Sequence, residues 1–190
     1  AADGNSSGQR QCGISEVSSS PTACPTNASK SAIDPRSGRA GASNRSSGKM
    51  GWALAAAALE DGHSVVLVSG PVALEAPQGA ECLRVETAQE MFEAVKSVCE
   101  SAAAPDIAIH AAAVADYRPK SREPRKIKKT GDSLVIEFER TPDVLGSMRA
   151  GFGFRGLLAG FAAETDNIVA NAREKLRRKQ CDLVIANDVS

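Results

Sequence analysis

The sequence predicts an α/β protein with a Rossmann-like, mostly parallel sheet and helices on both faces of that sheet. Short runs of β-branched and aliphatic residues, such as 64–69, have the length and composition of buried parallel strands. Segments with one apolar face and helical length, such as 88–103, separate these runs. Strands that alternate with helices at this spacing are typical of parallel sheets.

The composition changes near residue 43, which divides the chain into two predicted regions. Residues 1–42 are rich in Ser, Gly, Ala, Pro and Asn, and we predict a flexible segment there, or a lid and linker that orders only on the folded body, with no convincing strand. A Ser-rich transit peptide is an alternative, but the acidic residues Asp3, Glu16 and Asp34 weaken it. Residues 43–190 form the predicted folded domain.

The elements of this domain follow from periodicity and turn residues. Thr87 and Glu90 have the spacing of a capping box at a helix start. Thr141 is predicted as an N-cap, followed by a proline in the first turn and by an early acid at Asp143. The predicted elements are, in order, helix 49–62, strands 64–69 and 81–86, helix 88–103, strand 106–113, an edge or hairpin strand 134–139, a helix starting at Thr141, strand 157–161, helix 167–179 and strand 182–186.

The bulk properties argue against several classes of partner. The 190 residues include 23 basic and 23 acidic side chains, and this balance gives no reason to expect nucleic acid or a membrane surface as a partner. Apolar runs are too short for a membrane span, and no secretory signal is recognisable. The five cysteines form no C-x-x-C pair, so we predict reduced thiols and a cytoplasmic location.

A predicted anion-binding loop lies directly before the first helix of the domain. Ser46, Ser47, Gly48 and Lys49 combine hydroxyl donors, a flexible backbone and a cation next to the unpaired N–H groups of a helix start. The phosphate loop of nucleoside triphosphatases is excluded, because Met50 follows the lysine where that motif needs Ser or Thr. An ordinary serine N-cap remains the alternative.

Further candidates follow the predicted strands, where open α/β sheets bind ligands. Asp116 could hold a divalent ion together with phosphate oxygens, or could simply bond its own backbone as a loop-start residue. Lys175 and Lys179 lie four residues apart, hence on one helix face, and either bind a nucleotide or serve solubility. Lys126, Lys128 and Lys129, on the long polar loop between Asp116 and Asp132, could close over a phosphate or remain solvated. His110 is predicted as a core or backbone-contact residue rather than a base.

The segment 151–156 matches G-x-G-x-x-G but in the wrong context. The dinucleotide-binding motif follows a strand and opens a helix, whereas this segment follows a predicted helix and leads into a strand. We therefore predict an ordinary loop here, which weakens the hypothesis of a nicotinamide-dependent oxidoreductase.

Seven motifs occur in order along the predicted domain. They are Ser-Asn-Arg-Ser-Ser-Gly-Lys-Met-Gly (43–51), Leu-Val-Ser-Gly-Pro-Val (67–72), Ala-Ala-Ala-Val-Ala-Asp-Tyr-Arg-Pro (111–119), Lys-Ile-Lys-Lys (126–129), Thr-Pro-Asp (141–143), Gly-Phe-Ala-Ala-Glu-Thr (160–165) and Ala-Asn-Asp-Val-Ser (186–190). Taken together, they resemble the bacterial CTP-dependent phosphopantothenate–cysteine ligase, the synthetase half of the coenzyme A flavoprotein. The resemblance covers residues 43–190 almost continuously.

The resemblance implies a two-step ligation. CTP activates the carboxylate of 4′-phosphopantothenate as an acyl-cytidylate and releases pyrophosphate; L-cysteine then attacks, giving 4′-phosphopantothenoylcysteine and CMP. It implies that Asn44 holds the acyl-cytidylate, that Lys126 is needed for turnover, and that Asp116 meets CTP and its Mg²⁺ (or Mn²⁺). It also implies a homodimer. The remaining nucleotide residues would be His110, Ala111, Ala112, Thr141, Pro142, Asp143, Val144, Phe161, Lys175 and Lys179.

The chain departs from the family pattern at both ends. Members usually begin with an apolar strand and carry an arginine four residues before the asparagine, where this chain has Ala40. Relative to the family, the domain is expected to be truncated after Ser190, and the flavin-dependent decarboxylase half is absent from this sequence. A nucleotide-binding module without catalytic activity is therefore a second hypothesis.

Overall fold

The computed structural model describes residues 11–16, 47–121 and 135–189 of the chain. The described elements alternate between strands and helices, as the sequence predicts. They are β1 (Gln11–Glu16), α1 (Lys49–Glu60), β2 (Ser64–Ser69), β3 (Glu81–Arg84), α2 (Ala88–Glu100), β4 (Ile107–His110), β5 (Tyr117–Pro119), β6 (Phe138–Arg140), α3 (Val144–Ser147), β7 (Leu157–Glu164), α4 (Ile168–Arg178) and β8 (Leu183–Asp188).

The main sheet of the described residues has six parallel strands in the order β3-β2-β1-β4-β7-β8. The chain starts at the centre with β1, moves outward to β2 and β3, and then crosses back through α2 to β4 on the other side of β1. The direction of winding therefore reverses between β1 and β4. This is the topological switch point, at which open α/β sheets bind ligands outside the carboxyl ends of their strands.

The central strand β1 is a correction to the sequence analysis, which assigned no strand before residue 43. Its residues pair with β2 on one side, from Gln11 opposite Ser64, and with β4 on the other, from Cys12 opposite Ile107. The segment contains Gly13 and Ser15 and has low intrinsic strand propensity. Ladders on both sides override that local preference, because both neighbouring strands offer a full set of backbone partners. Residues 17–46 lie outside the described part of the chain.

Apolar side chains cover the two faces of the sheet separately, which confirms the prediction of helices on both faces. Val65 and Leu67 of β2 pack with Trp52 and Ala55 of α1. The next residue, Val68, belongs to the cluster on the opposite face, because successive strand side chains alternate in direction. That second cluster joins α2 and α3 to the sheet through the buried residues Met91, Val95, Val144, Leu145 and Leu158.

Local capping explains where two of the helices begin. The Thr87 hydroxyl accepts a hydrogen bond from the Glu90 N–H at 3.1 Å, so the predicted N-cap of α2 is confirmed. For α3 the predicted N-cap is wrong: the cap is Asp143, whose carboxylate accepts from the Gly146 N–H at 2.9 Å. Thr141 instead donates its hydroxyl to the Ala115 carbonyl, which leaves the capping role to the next polar side chain.

A second sheet is formed by β5 and β6, which pair antiparallel from Tyr117 opposite Arg140 to Pro119 opposite Phe138. The predicted hairpin strand at 134–139 is thus confirmed in type but begins later, at Phe138, and its partner β5 was not predicted. Ion pairs between Arg118 and Glu139, 2.8 Å apart, and between Lys120 and Glu137, also 2.8 Å apart, join the two strands. In the described residues no helix is long and apolar enough to cross a membrane.

The glycine-rich segment 151–156 is a loop, as predicted. It connects α3 to β7 and lies at the amino ends of β4 and β7, where the Leu157 N–H donates to the Asp106 carbonyl at 2.8 Å. A side chain at Gly156 would collide with that same carbonyl, which explains the glycine without any ligand. This end of the sheet is opposite to the ligand-binding edge, so the motif gives no support to a nicotinamide site.

Candidate functional site

The beginning of α1 forms one wall of the carboxyl edge, since α1 follows β1 in a parallel crossover. The N-cap is Gly48, a buried residue with φ of 77°, and no side chain caps the helix within the described residues. Ser47 accepts a long 3.4 Å bond from the Lys49 N–H, and Lys49 itself is exposed. The alternative of an ordinary serine N-cap is therefore wrong, whereas anion binding at this helix start remains a prediction.

Four elements, α4, β7, α3 and β4, meet at a cluster of charged groups at the same edge. The Lys175 Nζ on α4 donates to the Phe161 carbonyl of β7 at 2.5 Å. One turn later, the Lys179 ammonium forms an ion pair with the carboxylate of Asp143, the residue that caps α3. His110 is the last residue of β4, and the charges of Lys175, Asp143 and Lys179 all influence its titration. The structure thus brings together residues that lie up to 69 positions apart, from 110 to 179.

Partial burial and mutual charge interactions shift the pKa values of this cluster. Burial, followed by the charge of Lys175, lowers the pKa of His110 to about 4, so its imidazole is neutral at pH 7. Burial and the neighbouring Lys179 lower the pKa of Lys175. Burial alone would raise the pKa of Asp143, but hydrogen bonds from Lys179 and Gly146 outweigh it and leave a lowered value. Three cations, Lys175, Lys179 and Arg178, thus stand against the carboxylates of Asp143 and Glu164, which leaves a surplus of positive charge suited to an anion.

The loop after β4 lies against the turn that starts at Thr141. The Thr141 N–H donates to the Asp116 carbonyl at 3.0 Å, and Ala111 and Ala112 are half-buried small residues between β4 and this contact. The Asp116 residue is exposed. Its carboxylate is the hard oxygen ligand that Mg²⁺ prefers, and Mg²⁺ is commonly held by one or two carboxylates together with substrate phosphates. The donor chemistry therefore fits the predicted metal. In the described part of the chain no three His, Cys, Asp or Glu side chains group together.

Three of the predicted site residues, Asn44, Ser46 and Lys126, lie outside the described residues, and their roles stay predictions. The remaining predicted residues lie in the start of α1, the end of β4 and the loop after it, the turn before α3 and its first residue, β7, and α4. Asn171 is not among the predicted site residues, yet its side-chain amide donates to the Glu164 carboxylate at 2.8 Å. The sequence feature that points to Asn171 is its position four residues before Lys175, because residues at this spacing share one helix face.

The half-buried His110 makes the stability of the protein depend on pH. The unfolded chain binds a proton at His110 near pH 6.5, whereas the folded protein does so only near pH 4. As the pH falls below 6.5, the unfolded chain gains a proton at His110 that the folded protein does not bind. The free energy of unfolding is therefore unaffected by His110 above pH 6.5 and decreases below it, by about 3 kcal/mol at pH 4. We expect His110→Gln to remove this part of the decline in the free energy of unfolding, measured by urea denaturation between these pH values. Equal slopes in both proteins would contradict a depressed pKa at His110.

The fold and this site define an open α/β protein with a cluster of cationic side chains at one edge of its sheet. The family model for the C-terminal domain of DNA/pantothenate metabolism flavoproteins matches residues 22–190. The chain belongs to this family, as its motifs predict.

Known relatives and solved structures agree with this assignment. The chain is 48% identical over 149 residues to the coenzyme A biosynthesis bifunctional protein CoaBC of Vibrio vulnificus, covering 77% of this chain and 36% of that protein. The crystal structure of a CoaBC C-terminal domain is 36% identical, with a TM-score of 0.66, and the match covers 94% of this chain and 77% of that one. A Cab2 variant solved with phosphopantothenate-cysteine has a TM-score of 0.63 over 95% of this chain and 73% of that one, but at 16% identity it shows the fold alone. The chain spans about a third of the length of the curated relatives.

Proposed function

We propose that this domain ligates 4′-phosphopantothenate to L-cysteine at the expense of CTP. The observation that carries the proposal is the cationic cluster of Lys175 and Lys179 near the end of β4, one of the two strands that flank the switch point, in a chain that belongs to this family. Triphosphate oxygens gain negative charge as pyrophosphate leaves, and fixed cations at that point stabilise the charge without covalent chemistry. Bound Mg²⁺, held by Asp116 and the phosphates, would add to this stabilisation.

In the first step, a carboxylate oxygen of 4′-phosphopantothenate attacks the α-phosphorus of CTP. The bond from this phosphorus to the bridging oxygen breaks, and pyrophosphate leaves. In the second step the amino group of cysteine attacks the acyl carbon, CMP leaves, and the amine loses its proton to solvent. We assign Lys126 to turnover and Asn44 to holding the acyl-cytidylate between the steps. His110, which is neutral at pH 7 and half-buried, contacts the nucleotide rather than acting as a base.

The protein is also proposed to act as a homodimer in the cytoplasm. The hairpin of β5 and β6 supports this proposal, because Tyr117 and Phe138 expose 49% and 41% of their surfaces there. Apolar side chains of this size at the surface favour a partner of the same kind when they form a contiguous patch. The curated relatives are bifunctional, and we propose that the domain works beside a flavin-dependent decarboxylase domain.

The test is pyrophosphate release from CTP with 4′-phosphopantothenate, with and without cysteine. We expect release that requires 4′-phosphopantothenate, and a coupled product that requires cysteine. Lys126→Gln should abolish turnover, and Asn44→Asp should impair product formation more than pyrophosphate release. Binding of CTP without pyrophosphate release would instead favour a nucleotide-binding module, and absence of CTP binding would refute the proposal.

A further inference from the structure

Polar contacts hold α4 on the sheet, together with the half-buried apolar side chains of Ile168, Ala172 and Leu176. Every residue of α4 is described, and none of its side chains is buried. Asn171, Lys175 and Lys179 follow one another at intervals of four, so they share the face of the helix that meets β7 and α3. Each of them has a partner there: the Glu164 carboxylate, the Phe161 carbonyl and the Asp143 carboxylate.

The first of these contacts ties the end of β7 to the start of α4. The Asn171 Nδ2 donates to the Glu164 Oε2 at 2.8 Å and to the Asp166 carbonyl at 3.0 Å. Glu164 is three residues beyond Phe161 on β7, about 10 Å along the strand. Asn171 is four residues before Lys175, about 6 Å along the helix. Two contacts at separate heights resist both sliding and rotation of α4, which a single contact does not.

We propose that Glu164 and Asn171 are positioning residues for Lys175, which hold α4 on β7 so that the Lys175 ammonium stays at the Phe161 carbonyl, facing the ligand. The identity of that ligand as CTP rests on the proposed function above. The position of the ammonium does not, because every contact that defines it is within the chain. Neither residue is among the nucleotide-binding residues implied by the family motifs.

Glu164 also acts on the charge of Lys175. Burial and Lys179 lower the pKa of Lys175, whereas the Glu164 carboxylate raises it and so helps to keep the ammonium protonated. The charged or titratable groups that face Lys175 come from its own helix, β7, the segment before β8, and the end of β4; they are Lys179, Arg178, Glu164, Cys181 and His110. Without the Glu164 carboxylate, the charged groups around the Lys175 ammonium are therefore mainly cations.

Two substitutions separate the positional role from the electrostatic role. Asn171→Ala removes the tie and leaves all charges in place, so Lys175 should gain water and its pKa should rise toward the ordinary value. Glu164→Gln keeps an acceptor for the Asn171 amide but removes the charge, so the pKa of Lys175 should fall further. Glu174→Gln is the matched control, because it removes one carboxylate from the exposed side of the same helix.

The first measurement needs no nucleotide. Acetic anhydride modifies the neutral amine of Lys175, and the rate, followed by peptide mass spectrometry from about pH 7 to about pH 11, reports its pKa. Shifts in opposite directions for Asn171→Ala and Glu164→Gln, with none for Glu174→Gln, are expected. A loss of helix stability alone would not produce shifts of opposite sign. If neither variant differs from the control, the positioning role is refuted.

The second measurement is the CTP dissociation constant. We expect Asn171→Ala to weaken binding about tenfold, while Glu174→Gln leaves it unchanged. If Asn171→Ala binds CTP as tightly as the wild type, positioning toward the nucleotide is refuted. If the wild type binds no CTP but the pKa of Lys175 shifts as expected, the proposed function fails and the positioning of the ammonium stands.

Discussion

Replacing Lys175 by Gln is expected to lower kcat/KM for CTP about a hundredfold, the effect typical of losing one fixed group that stabilises transition-state charge. Lys175 and Lys179 do not contribute equally. The Lys179 ammonium is paired with the Asp143 carboxylate, which cancels much of its field, whereas Lys175 donates to the neutral carbonyl of Phe161 and keeps its charge. Burial strengthens the interaction of that charge with phosphate, because less water screens it.

The measurement for Lys175→Gln is the initial rate of pyrophosphate release over a range of CTP concentrations. Arg173→Gln is the control, since it removes one cation from the exposed side of the same helix. We expect the control to retain wild-type kcat/KM and both variants to unfold near the wild-type temperature. A change below about threefold for Lys175→Gln would mean that the cation does not meet the nucleotide in the transition state.

The parts of the fold that sequence analysis predicted are those whose signals are local. The strand at Ser64–Ser69 is an uninterrupted β-branched and aliphatic run bounded by turn residues, and its predicted bounds match the structure. The start of α2 depends on two side chains three residues apart, and both are visible in the sequence. In contrast, β1 is stabilised by pairing with strands that lie about 50 and 95 residues further along the chain, and its own composition carries no such signal.

The candidate site was predicted from the resemblance more than from the residues alone. A spacing of four puts Lys175 and Lys179 on one face of a helix, but it does not say what that face meets. The structure supplies the partners: Phe161 for the first lysine and Asp143 for the second. The tie between Glu164 and Asn171 was missed because it joins a strand end to a helix start, and neither residue is unusual in its own element.

The G-x-G-x-x-G match illustrates why context decides between equal motifs. Residues 151–156 satisfy the pattern, yet they lie at the amino edge of the sheet, and the close packing of Gly156 against Asp106 accounts for one of the three glycines. Gly48 belongs to no familiar glycine pattern. It nevertheless lies at the carboxyl edge, as the N-cap of α1, where the backbone conformation sets the direction of the N–H groups that could bind an anion.

Gly48→Ala is therefore expected to lower the free energy of unfolding by about 3 kcal/mol, combining the cost of a left-handed residue with that of overpacking. The φ of Gly48 is 77°, and a Cβ at this position would lie 2.8 Å from the Val72 Cγ1. Val72 cannot move away freely, because the Arg84 guanidinium bonds the carbonyls of Val72, at 3.5 Å, and Leu74, at 2.8 Å, and thereby holds this loop.

Gly62→Ala is the matched control for this prediction. Gly62 has a φ of 83°, and nothing lies within 4 Å of the position of its Cβ, so alanine there carries the backbone cost without the collision. Urea denaturation should rank the wild type above Gly62→Ala and Gly62→Ala above Gly48→Ala. Equal losses in the two variants would show that Val72 yields at no cost. A greater loss of unfolding free energy in Gly48→Ala would show that the start of α1 is fixed against the loop after β2. Both variants carry the cost of a left-handed alanine, but only at Gly48 does the new methyl group collide with a neighbouring side chain. A helix start held in this way can present its backbone N–H groups to an anion without reorganising when the ligand arrives.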